Sequence, residues 1–193
     1  MTTYAVFLRG INVGGINIKM ADLKSAIAAC GFSGVKTLLA SGNVVLSSDL
    51  DAPDVKDACE RCLREAFGYD AWVVVLEAAR VAELVAACPY PADDKTTHSY
   101  VTLSSDIKVL DELFDAGSAL GPASNGGVDL TRLAPEALAW LAPAGGTLDS
   151  PFSKITAKAR YKAATTTRNL RTLIKVRDAA RNSDGDFPAG SGT

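Results

Sequence analysis

The sequence predicts an α+β protein made of two ferredoxin-like (βαββαβ-type) sub-domains packed together. Three observations lead there. The first half alternates short apolar runs with amphipathic helical patterns in the order βαββαβ. The second half returns to the same plan in looser form, as βαββα with helical segments to its end. A chain of 193 residues, nearly half apolar and about a fifth charged, has room for one large or two small globular units. The expected boundaries are 1–77 for the first sub-domain and 78–181 for the second, less regular one. Residues 182–193, rich in Gly, Ser, Asp and Pro, are expected to be a disordered tail.

Each element has its own local reason. Tyr4–Leu8 is a short apolar and aromatic strand. Leu23, Ile27 and Cys30 share one helical face, and Gly31 follows as a helix stop. Residues 35–39 form a second strand, Ala40-Ser41-Gly42-Asn43 a turn, and 44–46 a third strand. Asp51-Ala52-Pro53-Asp54 opens a helix that runs to about Phe67 and closes at Gly68, before a strand at 72–76. A helix over 78–87 then stops before Pro89. A strand at 99–103, a helix at 107–114 and two strands near 128–133 and 137–141 follow, the last broken by Pro143 and its glycines. Helical segments over 153–161 and 169–180 complete the chain, and Thr165-Thr166-Thr167 reads as a hydroxyl cap for the latter.

Several function classes are narrowed by composition. No apolar run approaches the roughly 20 residues that span a bilayer. Arg9 follows the first apolar stretch instead of preceding it, which is not the pattern of a signal peptide, so a cytoplasmic location is expected. Cys59 and Cys62 form a C-x-x-C inside an amphipathic helix, with no second pair at zinc spacing, and are expected to pack as small apolar residues. His98, the single histidine, cannot build a multi-histidine site and is expected to be a structural or solvated strand-edge residue. No cofactor, metal site or catalytic residue is assigned. The charge is uneven: residues 154–181 carry +8 and the remainder −10, within a net charge of −2. Such a segment suits an anionic partner, or docking on the protein's own acidic body.

The strongest candidate site is the Gly-rich stretch after the first strand, with Arg9, Gly10, Asn12, Gly14 and Gly15. Glycines allow positive φ and close approach of backbone N–H groups to an anion. In a βαββαβ unit the first two strands run parallel, so this loop and Ser41-Gly42-Asn43 should meet at one sheet edge. The stretch lacks both the G-x-G-x-x-G and the Gly-Lys-Ser/Thr signatures. A second cluster is Thr167-Arg168-Asn169, where an arginine in a first helical turn opposes the helix dipole unless an anion or carboxylate lies near.

Phe7–Gly15, Met20-Ala21-Asp22-Leu23, Ser41-Gly42-Asn43-Val44-Val45 and Thr167-Arg168-Asn169 together resemble the domain-of-unknown-function family 1697, over Tyr4 to Ala180. The resemblance implies paired ferredoxin-like sub-domains and assigns no activity. It also implies a pocket shared by the Arg9 loop, the Ser41 turn and Arg168. The family's last motif usually continues with Trp and Asn, where this chain has Leu170 and Arg171 while keeping Thr166, Arg168, Asn169 and Thr172. The expected function is binding of a small anionic ligand, phosphate-bearing or nucleotide-like. The alternatives are nucleic-acid binding through the basic segment, for which the third strand has no aromatic to stack a base, and a structural or assembly module without ligand.

Overall fold

The structure, a computed structural model, describes residues 1–11, 17–68 and 70–184. Its strands are β1 (Thr2–Arg9), β2 (Ser33–Leu38), β3 (Asn43–Ser48), β4 (Trp72–Glu77), β5 (Thr97–Ser104), β6 (Leu130–Ala134), β7 (Ala137–Pro143) and β8 (Thr165–Asn169). The helices are α1 (Met20–Ala29), α2 (Ala52–Phe67), α3 (Ala78–Ala87), α4 (Ile107–Ser118), α5 (Pro151–Thr156) and α6 (Leu170–Asp184). The strands form two four-stranded antiparallel sheets, ordered β2-β3-β1-β4 and β6-β7-β5-β8. Both orders are the same when counted within each unit, so the α+β reading with two ferredoxin-like units holds.

Local chemistry sets these elements. Asp51 caps α2 by accepting from the Asp54 N–H at 3.0 Å, and Gly68 closes the helix in the left-handed region at φ 67°. Val55, Cys59, Cys62 and Leu63 form its buried stripe. Asp106 caps α4, and Ser150 with Pro151 starts α5.

Packing forms five layers. Helices α1 and α2 cover one face of the first sheet, where Leu23, Ile27, Val55 and Leu63 meet Tyr4, Val6, Leu8, Val44 and Leu46. On the outer face of the second sheet, Leu110, Leu113 and Phe152 meet Leu138, Trp140 and Ala142. Between the two sheets lie α3 and α6. Val81, Leu84, Leu173 and Val176 pack there against Ala5, Phe7 and Val45 of the first sheet and Val101, Leu103, Ala137 and Ala139 of the second. Neither sheet therefore shows its second face to solvent, and β1 is apolar on both sides.

Three expectations change. Thr165–Asn169 is a strand, not a helix cap: Thr102 and Thr167 pair across β5 and β8, and their hydroxyls lie 2.9 Å apart. The second unit is thereby a complete βαββαβ. Cys62 does not pack as a thiol, because it is bonded to Cys30 across α1 and α2. Cys59 does pack as one, and burial, then Glu60, pushes it up to about 12. His98 is the second residue of β5, at the start of that strand where it was expected, beside Tyr100. Strand β7 also runs unbroken to Pro143. Helix α6 covers the first three residues of the segment 182–193, and the rest of that segment lies outside the described residues. No helix among the described residues is long and apolar enough to cross a membrane.

Candidate functional site

The C-terminal end of β1 meets the β2–β3 turn as topology requires: β1 and β2 both run antiparallel to β3, and the Leu8 N–H donates to the Gly42 carbonyl at 2.8 Å. Gly42 sits at φ +74°, and a Cβ there would lie 2.8 Å from Ile11 Cδ1, so the turn takes glycine on both counts. From the second unit, β8 brings Arg168 into this corner.

Arg168 is 7% exposed. Its Nε donates to Asn43 Oδ1 at 2.6 Å, and Nη1 donates to Thr166 Oγ1 at 2.7 Å and to the Thr167 carbonyl at 2.9 Å. Nη2 donates to the carbonyls of Leu8 at 2.5 Å, Ser41 at 2.9 Å and Gly42 at 3.1 Å. Guanidinium has five N–H bonds, so these six acceptors commit all of them. The Phe7 ring lies 5.8 Å from Cζ, within cation–π range. Asn43, fully buried, is held by its own amide, which donates to the Leu38 carbonyl at 2.8 Å and to Ser41 Oγ at 3.1 Å. Arg168 thus fastens the second unit to the end of β1 and the β2–β3 turn. The dipole conflict foreseen for it does not arise, since α6 begins at Leu170 and Asn169 Oδ1 caps it by accepting from the Arg171 N–H at 2.9 Å.

Arg9 reaches the opposite way. Its Nη1 donates to the Thr165 carbonyl at 2.5 Å and Oγ1 at 3.0 Å, and Nη2 to the Thr156 carbonyl at 3.3 Å. Burial lowers the pKa of Arg9. Burial, then the charge of Arg9, draws Arg168 down to about 10, and at neutral pH both remain cations. Neither makes an ion pair with a carboxylate among the described residues.

Both arginines line a cleft of about 690 Å³ between the units, with Gly10, Ser41, Thr166 and Thr167, and with Ser153 and Thr156 of α5. Of the residues expected at the site, Arg9, Gly10, Ser41, Thr167 and Arg168 line it. Gly42 and Asn43 stand behind it, holding Arg168. Asn169 faces a different groove, of about 400 Å³, with His98, Tyr100, Arg171, Thr172 and Lys175. Asn12, Gly14 and Gly15 lie outside the described residues. Leu170 is buried in the central core, whereas Arg171 is exposed at that second groove. The α5 residues and Leu148 were not foreseen, because no local pattern ties them to the first loop.

Residues 1–120 match the family described as "Protein of unknown function (DUF1697)", and the chain belongs to that family. Among solved structures, the chain is similar to a conserved bacterial protein, SP0830, from Streptococcus pneumoniae, at 18% identity and a TM-score of 0.75. That match covers 93% of this chain and 98% of the other, and it shows the shared fold. A second match is a heterotetrameric sarcosine oxidase from Corynebacterium sp. U-96, at 14% identity over 97% of this chain and 84% of that one. Its TM-score of 0.21 carries no argument. A comparison with curated proteins finds no match.

Proposed function

We propose that this family member binds a small anionic ligand, phosphate-bearing or nucleotide-like, in the cleft between the end of β1, the Ser41 turn, α5 and β8. The observation that carries the reading is a pair of arginines lining one cleft with no carboxylate partner among the described residues. Arg168 contributes its charge alone, since its N–H groups are spent on the fold. Arg9 is half-buried and supplies charge with its remaining donor capacity. Ser41 Oγ accepts from Asn43, which leaves its own proton to be donated. A bound anion would offset the cost that burial places on both cations. Phosphorylated metabolites are charged and held within the cell, and a cytoplasmic location belongs to the same reading.

The test is thermal melting with a panel of phosphorylated metabolites. A ligand at a hundred times its Kd stabilises by about 2.7 kcal/mol. Arg9→Met, which keeps the apolar stem, should lose most of that shift. A panel without any shift, or a shift of the same size in Arg9→Met, sinks the reading.

A second reading, nucleic-acid binding, draws support from the groove at Arg171 and Lys175, where neither cation makes an ion pair among the described residues. Base stacking on an open sheet face has no place here, because α3 and α6 fill the space between the sheets. Only electrostatic contact is left. Arg171→Ala and Lys175→Ala should each flatten the log–log salt slope for single-stranded RNA by about 0.7. Affinity indifferent to salt would count against it.

A further inference from the structure

We infer that the anion held in the Arg9 cleft carries an aliphatic body, so the ligand is an amphiphilic organic anion: an oxyanion head on an apolar chain, rather than inorganic phosphate or a nucleotide. The inference rests on the anion-site reading above and deepens it. The cleft, at about 690 Å³, has the size of sites that enclose whole organic molecules and is far larger than a lone oxyanion needs.

Its walls separate by chemistry. Arg9, Ser41, Ser153, Thr156 and Thr167 supply charge and hydroxyls, while Leu8, Ile11, Ala40, Ala157 and Leu148 supply aliphatic surface. Leu8 and Ile11 are 1% and 5% exposed and belong to the first core, so they form a fixed apolar floor. Leu148 is the opposite case. It sits on the turn Thr147–Asp149 just before α5, lines the cleft, and is 84% exposed. Among the described residues this side chain packs on little, whereas an apolar ligand body lying in the cleft would cover it. No aromatic ring is among the described residues that line the cleft. A nucleobase would find no ring to stack on there.

The experiment uses the full chain and calorimetric titration with inorganic phosphate, n-hexyl phosphate, adenosine monophosphate and phosphatidylcholine vesicles containing phosphatidic acid. Hexyl phosphate should bind at least tenfold more tightly than inorganic phosphate, and more tightly than the nucleotide. Leu148→Ser, at an exposed position the fold does not depend on, should weaken hexyl phosphate roughly tenfold and leave inorganic phosphate unchanged. Equal affinity for the two phosphates, preference for the nucleotide, or a Leu148→Ser protein that binds hexyl phosphate as before overturns the aliphatic body while sparing the anion site. Vesicle binding without hexyl phosphate binding marks a membrane surface instead of a cleft and overturns it as well. Failure of every anion removes the anion-site reading and this inference together.

Discussion

Arg168→Ala should lower the free energy of unfolding by about 3–5 kcal/mol, the scale of breaking a buried hydrogen-bond network. The side chain is 7% exposed and answers acceptors from both units: the Leu8, Ser41 and Gly42 carbonyls and Asn43 Oδ1 from the first, Thr166 and Thr167 from its own strand. Alanine takes the guanidinium donor from the Ser41 carbonyl and Asn43 Oδ1, at roughly 1–3 kcal/mol for each acceptor left unpaired before relaxation. It removes one of two donors from the Leu8 and Gly42 carbonyls, which keep Thr166 Oγ1 and the Leu8 N–H respectively. Water entering from the neighbouring cleft will recover part of that, which is why the whole falls short of the sum. Lysine will not rescue the loss, since three hydrogens on one nitrogen cannot reach acceptors spread around a planar fork. Urea denaturation of the three proteins, with m-values compared, measures this. Native proteins are held by about 5–15 kcal/mol, so Arg168→Ala should sit close to unfolding. A loss under about 1 kcal/mol, within the range of ordinary surface substitutions, would return Arg168 from the lock to the ligand side of the cleft.

This prediction also separates two roles that the sequence motif merges. Thr167-Arg168-Asn169 reads as one cluster in the chain, yet its members part company in space. Thr167 lines the cleft and pairs with Thr102, Arg168 locks the units, and Asn169 caps α6 at the other groove. A structural role for the motif and a binding role for the cleft are therefore compatible, because different atoms serve each.

Much of the fold was legible, for reasons that particular residues make plain. Asp51 and Gly68 bracket α2 by cap chemistry that acts within a few residues. The meeting of Arg9 with Ser41 followed from strand order alone. The central layer was not read from the chain: Tyr4–Leu8 reads there only as a short apolar strand, although an uninterrupted apolar run also fits a strand covered on both faces. Strand β8 was misread because three threonines before a helix suit a cap, although β-branched residues suit a strand equally well. Cross-strand pairing with β5 decides between them, and that partner lies more than sixty residues away. The contribution of α5 to the cleft depends wholly on such long-range packing and left no local mark. Arg168 entered the expected pocket through family resemblance; its commitment to neutral carbonyls could not be read from residue types.

Reducing the Cys30–Cys62 bond should cost the folded state about 3–4 kcal/mol. The two cysteines are 32 residues apart, and closing a loop of that length removes an entropy from the unfolded chain worth about that much. The bond ties the C-terminal end of α1 to the middle of α2, both on the outer face of the first sheet. Urea denaturation with and without dithiothreitol reads the difference, and Cys30→Ala should match the reduced protein while becoming indifferent to reductant. Cys59 will not substitute in the exchange, because it is fully buried and its thiol is pushed up to about 12, leaving almost no thiolate near neutral pH. A reducing compartment would hold the pair as thiols, and α1 and α2 would then be held by packing alone. Stability comparisons, including that of Arg168→Ala, are therefore made within one redox state. Identical denaturation curves in the two redox states would show that the helices gain nothing from the covalent tie.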